Sequence, residues 1–224
     1  MSDSLANEQR DIYRKNFQQH GDKPEGMFWN NKETQYLRFE RLLKNLDLSS
    51  SFSVHDIGCG TADLHQYLLE KKVKHNYHGT DLVPEMIAAA KKKFPDIKLF
   101  ERDVLKDKSV EVCDYVIVSG TFNLRGKTDE KEWNNYVFRL MKRAYEISSK
   151  GVAFNFLNTY KTFSDPTLAY FNPQEVFDFC MKNFSRFVIL DHSYPLFEFT
   201  TTIFKADYMK SRYDSSVYGK YFGK

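Results

Sequence analysis

The octapeptide D-I-G-C-G-T-A-D at residues 56–63 follows F-S-V-H, a short run that reads as a buried strand ending in a turn. Gly58 and Gly60 stand one residue apart in that turn. Glycine lacks the Cβ that would block close approach, so two glycines in such a turn mean that the backbone must lie against something. A dinucleotide, another nucleotide or a neighbouring helix would each meet that requirement. A strand feeding a glycine turn and then a helix, D-L-H-Q-Y-L-L-E-K-K (63–72), is how an α/β sheet begins.

The chain continues that alternation. After a helical, aromatic N-terminal part over about 5–46, strands are expected at 52–57, 76–81, 97–103, 113–122 and 151–158. Helices are expected at 63–72, 84–94 and about 129–150, the last closed by Gly151, and from Asn172 and Pro173 to near Phe184. Such an order predicts a mostly parallel sheet with helices on both faces. The final strand-like runs, 186–194 and 198–206, are separated only by Pro195, Leu196 and Phe197. That link is too short for a crossover helix, so the two must be antiparallel neighbours.

Length and composition fit one domain of 1–224, with a cap over 1–46, a core over 47–206 and a tail over 207–224. No apolar run is long enough to span a bilayer, the polar start is unlike a signal peptide, and no membrane partner is expected. Cys59, Cys113 and Cys180 are widely spaced with no C-x-x-C pair, which points to a reducing cytoplasm. The net charge is +3; Lys210, Arg212, Lys220 and Lys224 against Asp207 and Asp214 put +2 of it in the tail. The body is nearly neutral, so a specific nucleic-acid partner is not expected. His75 and His78 have metal-ligand spacing but no third ligand in sequence reach, and no metal is expected. His55, within a strand, reads as a hydrogen-bonded core or edge residue.

Asp63 occupies the third-glycine position of a G-x-G-x-x-G pattern counted from Gly58, which weighs against a dinucleotide. Asp81 ends the second strand 21 positions after Gly60, where a carboxylate can accept both hydroxyls of a ribose. Asp103 closes the third strand in F-E-R-D-V-L. Ligands of open α/β sheets bind at the carboxyl ends of strands, so these acids and the glycine turn share one edge and describe a nucleoside site.

V-H-D-I-G-C-G-T-A resembles motif I of the class I S-adenosylmethionine-dependent methyltransferases, with Ala62 where many members keep a third glycine. Y-H-G-T-D-L-V-P-E-M-I-A-A-A is similar to their second motif and F-E-R-D-V-L to their third; the resemblance spans about residues 36–206. H-G-D-K-P-E-G-M-F-W followed by Q-Y-L-R-F-E is similar to an N-terminal cap in a small-molecule subfamily. The resemblance implies a Rossmann-like α/β fold of seven strands, order 3-2-1-4-5-7-6 with the last-numbered strand antiparallel. It implies S-adenosylmethionine as cofactor, with Gly58 and Gly60 under the methionine part and Asp81 on the ribose hydroxyls. Asp103 would take the adenine amino group and Val104 would offer its amide to the ring. Ser119 and Gly120 would flank the methionyl end, and Asp56 would orient water and backbone near the amino group. Trp29, Leu82 and Met86 complete the expected cofactor contacts. Arg38 is expected on the cofactor carboxylate, because one cation is needed there and the helix before the first strand can supply it.

Methyl transfer asks chiefly for alignment, and a base helps only where the acceptor must lose a proton. The acceptor is expected between the ends of the fourth and fifth strands, the cap and the terminal hairpin. Candidate lining residues are Tyr13, His20, Trp29, Phe122, Asn123, Arg125, Asn158, Tyr160, Tyr194 and Glu198. Of these Tyr13, His20, Asn123 and Tyr194 are the candidate catalytic groups, His20 being the base by pKa alone. The fourth strand ends in S-G-T-F-N and lacks the Pro-Pro-aromatic signature of DNA-base enzymes of this fold. A small polar or carboxylated acceptor is expected, with O-methylation ahead of N-methylation, in a monomer or homodimer. The rival readings are a non-catalytic cofactor-binding subunit and a protein or RNA methyltransferase using the tyrosine-rich tail.

Overall fold

The computed structural model describes residues 2–222. Its N-terminal part is a long helix, α1 (Ser2–His20), a single 3-10 turn at Pro24–Met27, and α2 (Lys32–Leu43) capped by the side chain of Asn31. Strand β1 (Phe52–Ile57) then leads through the glycine turn into α3 (Asp63–Glu70). There follow β2 (His75–Asp81), α4 (Pro84–Lys93), β3 (Lys98–Glu101), β4 (Cys113–Val118), α5 (Glu130–Glu146) and β5 (Ser148–Asn158). A two-residue strand β6 (Tyr170–Phe171), α6 (Pro173–Asn183), β7 (Val188–Asp191) and β8 (Glu198–Phe204) close the sheet. Short helices α7 (Ala206–Ser211) and α8 (Ser215–Tyr218) form the tail.

The sheet runs β3-β2-β1-β4-β5-β8-β7, with β6 pairing alongside the end of β5. Apart from that short extra strand, this is the expected order. β8 is the antiparallel member, paired from Gly151↔Phe204 to Leu157↔Glu198 on one side and with β7 on the other. Alternation along β4 divides the core. Val116 and Val118 join α5 and α6 on one face, while Tyr115 and Ile117 join α2 and α3 on the other. With both faces covered, the interior strands β4 and β8 are buried over nearly their whole length.

Two boundaries differ from expectation for a physical reason. The helix expected over 129–150 ends at Glu146 and β5 begins at Ser148, so Gly151 is not a helix stop. It lies where β5 meets β8, and a Cβ there would come within 2.6 Å of the Ile203 carbonyl oxygen. The strand expected over 113–122 ends at Val118, which leaves Ser119 to Asn123 free to turn across the sheet edge.

The tail packs on the body. Phe222 stacks on Phe187 with ring centroids 5.5 Å apart, and Arg212 reaches Asp47 at 3.1 Å. Lys224, one of the expected tail charges, lies outside the described residues. No helix among the described residues is long and apolar enough to cross a membrane.

Candidate functional site

The carboxyl ends of β1, β2 and β4, roofed by α1, the 3-10 turn and α2, enclose a cavity of about 760 Å³. That volume sits in the upper part of the roughly 300–1,000 Å³ range of small-molecule sites. Gly58, Gly60, Asp56, Asp81, Leu82, Met86, Asp103, Val104, Ser119 and Gly120 all line it, together with Trp29 and Arg38. Thus the expected cofactor residues converge on one space.

Asp81 anchors it. One carboxylate oxygen accepts the Gly60 amide and the other the Val83 amide, each at 2.9 Å. Burial pushes its carboxyl up while these backbone donors pull it down. Asp103 accepts the Leu105 amide at 2.9 Å. Asp56 accepts the Tyr77 hydroxyl at 2.6 Å, and burial pushes its carboxyl up to about 7, with Asp81 and Asp63 adding to the rise. The Ser119 hydroxyl and the Asn123 amide oxygen are buried with no protein partner, as is the Gln9 side-chain nitrogen. Buried polar atoms are normally paired, so these orphans on a cavity wall fit a polar ligand.

The end of the cavity at Gly58 and Gly120 is shaped by backbone. A Cβ on Gly58 would meet the Thr121 hydroxyl at 2.3 Å, and one on Gly120 would meet the Trp29 ring at 2.2 Å. Gly120 has φ +71°, its amide donates to the Asn155 side-chain oxygen at 2.8 Å, and the Trp29 ring rests against its Cα. We therefore expect Gly120→Ala to weaken cofactor binding at least about tenfold by calorimetry. Gly21→Ala is the control: φ is +69° with no atom within 4 Å of the added Cβ, so it should cost about 1–2 kcal/mol of strain and leave cofactor affinity unchanged.

Arg38 is placed differently from expectation. Its Nε donates to both oxygens of Glu198 at 2.9 Å, its Nη2 also reaches that carboxylate, and its guanidinium lies 4.6 Å from the Trp29 ring centroid. Glu198 further accepts from Asn155 Nδ2 at 2.8 Å. Arg38 is therefore on the cavity wall but committed to β8.

Of the catalytic candidates, Tyr13 and Asn123 line the cavity. Burial, and secondarily Asp81, raise the Tyr13 hydroxyl far above its usual range, so it is a hydrogen-bond donor and not a base. His20 does not reach the cavity. It is exposed, seven residues beyond Tyr13, which is about 10 Å along the helix axis. Tyr194 is also displaced: its hydroxyl meets the Thr200 hydroxyl at 3.0 Å and the Arg41 guanidinium lies 5.6 Å from its ring centroid, so it packs the hairpin onto α2. Phe122, Arg125, Asn158 and Tyr160 likewise fall outside the lining, and Glu198 within it. Phe122 is core, stacked on Phe156; Arg125 donates to the Thr128 carbonyl oxygen, Asn158 meets His192, and Tyr160 is exposed. His55 is a core residue on the Thr80 hydroxyl, and His75 spans the Val73 carbonyl and His65.

Sequence reasoning missed Gln9, Tyr136, Phe163, Leu168 and Phe197 on the cavity wall. Gln9 stands one helical turn before Tyr13, a spacing that could have found it. Phe163 and Leu168 sit in an irregular loop with no period to read.

Comparison with known proteins gives the same picture. A family model described as a methyltransferase domain matches residues 54–144. The chain is 32% identical over 166 residues to Rv1506c of Mycobacterium tuberculosis, a protein provisionally named a methyltransferase, covering 73% of this chain and 99% of that one. Its fold is similar to magnesium protoporphyrin IX methyltransferase from Synechocystis PCC 6803, solved with bound S-adenosylmethionine, at TM-score 0.60, 12% identity and coverage of 88% and 97%. It is also similar to the N-methyltransferase NodS from Bradyrhizobium japonicum WM9, at TM-score 0.57, 13% identity and coverage of 88% and 98%.

Proposed function

The chain belongs to the class I S-adenosylmethionine-dependent methyltransferases, and on that premise we propose that it methylates a small polar molecule at a hydroxyl oxygen. One observation carries the reading: the orphaned Asn123 amide oxygen, with the Ser119 hydroxyl, on the wall of the cofactor cavity. An amide oxygen only accepts, so an acceptor seated against it would meet it with an O–H or N–H. An alkylamine enters as a cation at neutral pH and must lose a proton before it can attack. No histidine or lysine lines the cavity among the described residues, Tyr13 is held protonated, and Asp56, raised to about 7, is engaged by the Tyr77 hydroxyl. A hydroxyl already presents a lone pair. Arg38, held by Glu198, offers a carboxylated acceptor little, which supports the polar alternative.

When bound, S-adenosylmethionine would supply a sulfonium methyl for in-line transfer to the acceptor's hydroxyl oxygen, whose proton would pass to solvent. The protein's share is to position. Asp81 and Asp103 fix the nucleoside, Gly58 and Gly120 let the backbone approach the methionine chain, and Asn123 orients the acceptor. Free, buried Cys59, Cys113 and Cys180 support a cytoplasmic setting. The packed tail supports a small acceptor over a macromolecule docked there.

The test is incubation with isotope-labelled cofactor and matched hydroxyl- and amino-bearing small molecules, read by mass spectrometry. A labelled methyl ether is expected. Transfer to nitrogen alone would overturn the oxygen assignment, and tight cofactor binding without transfer to any acceptor would favour a binding subunit.

A further inference from the structure

Beyond the cofactor residues, the cavity runs out between the loop 159–169 and the turn linking β7 to β8. Its wall there is Leu157, Phe163, Leu168, Pro195, Leu196 and Phe197. Phe163 and Phe197 are 50% and 42% exposed and meet edge-on with centroids 5.4 Å apart. Two aromatic rings left partly in water on the wall of this cavity are apolar surface that a ligand can cover.

Charge narrows the partner. Six carboxylates line the whole cavity against three guanidiniums: Arg38 is paired with Glu198, Arg102 with Asp107 at 3.2 Å, and Arg10 with its exposed neighbour Asp11 at 3.5 Å, the buried Nε atoms of Arg10 and Arg102 having no hydrogen-bond partner. The excess negative charge suits a sulfonium cofactor. It opposes an anion, and Asp165, on the same loop as Phe163, is kept ionised by hydrogen bonds from the Thr167 hydroxyl and amide.

We infer that the acceptor is an uncharged molecule with a ring-sized apolar body and one hydroxyl, seated against the paired rings of Phe163 and Phe197 with the hydroxyl toward Asn123. The inference rests on the methyl-transfer reading and adds the acceptor's class. The apolar wall takes the body, and Asn123 fixes the reacting end. A carboxylate on that body would be brought beside the ionised Asp165, and Arg38, beside the neighbouring end of β8, is already paired with Glu198.

The test uses the full chain saturated with S-adenosylhomocysteine and two probes, naphthol and hydroxynaphthoate, with binding measured by calorimetry. Naphthol should bind at least about tenfold more tightly than its carboxylated counterpart. Phe163→Ala and Phe197→Ala should each weaken naphthol about fivefold or more and leave S-adenosylhomocysteine affinity within about twofold. Both side chains are half exposed, so the variants should fold. Tighter binding of hydroxynaphthoate, or naphthol affinity unchanged in both variants, would overturn the inference while leaving the methyl-transfer reading intact. Failure of S-adenosylhomocysteine to bind would overturn both.

Discussion

Asp81→Ala is expected to abolish measurable cofactor binding, a loss of about a thousandfold or more. Two charge-assisted hydrogen bonds to a ribose diol contribute roughly 1.5–3 kcal/mol each, and every 1.4 kcal/mol is tenfold. The same carboxylate also holds the Gly60 and Val83 amides, so its removal loosens the glycine turn as well as the ribose contact. Asp81→Asn separates the two effects. It keeps the shape but presents an NH₂ to one of those amides, and an intermediate loss of about a hundredfold is expected. Calorimetry on wild type and both variants, with circular dichroism to confirm folding, decides the matter. Affinity within threefold of wild type in a folded alanine variant would place the ribose elsewhere.

The second large effect is on stability. Arg38 and Glu198 have side-chain exposures of 11% and 1%, so this is a buried pair. Removing one partner of such a pair costs about 3–5 kcal/mol, because the other is left charged and unpaired. Glu198→Ala should therefore lower stability by about that amount, read from the urea midpoint at constant slope. Replacing both partners with apolar groups, Arg38→Met with Glu198→Leu, should recover most of the loss. A loss under about 1 kcal/mol for Glu198→Ala would mean that water reaches the guanidinium and the pair is not buried in solution.

These two acids show what the sequence could and could not reveal. The place of Asp81 beside the glycine turn was legible because its partners are local: a strand, a glycine turn and an acid at a fixed offset within one β-α-β unit. The same holds for Asp103, and for the antiparallel hairpin, fixed by a short link. Glu198 appeared only as a lining candidate, because its ion pair with Arg38 spans 160 positions and no local pattern announces it. Arg38 lines the cavity, and its pairing there with Glu198 of β8 is a contact that the expected cofactor carboxylate did not announce. His20 failed on helix length, an arithmetic of rise per residue that neither motif nor pKa contains. Gly151 failed because a glycine after an amphipathic run signals a helix stop and a crowded strand crossing alike. Phe163 and Leu168 were invisible because irregular loops carry no period.

β8 also fixes the order in which a working molecule can be completed. Strands β1 to β5 are made first, and during synthesis β5 presents an open edge carrying Phe154 and Phe156, with Gly151 unable to shield it. Only when residues 198–204 emerge does β8 slide into the interior position beside it, bringing Glu198 to Arg38. The cap is thus tied down by a residue made 160 positions after it. A chain arrested before β8 would carry the nucleoside half of the site beside an unpaired, phenylalanine-rich strand, the arrangement that recruits other chains edge to edge.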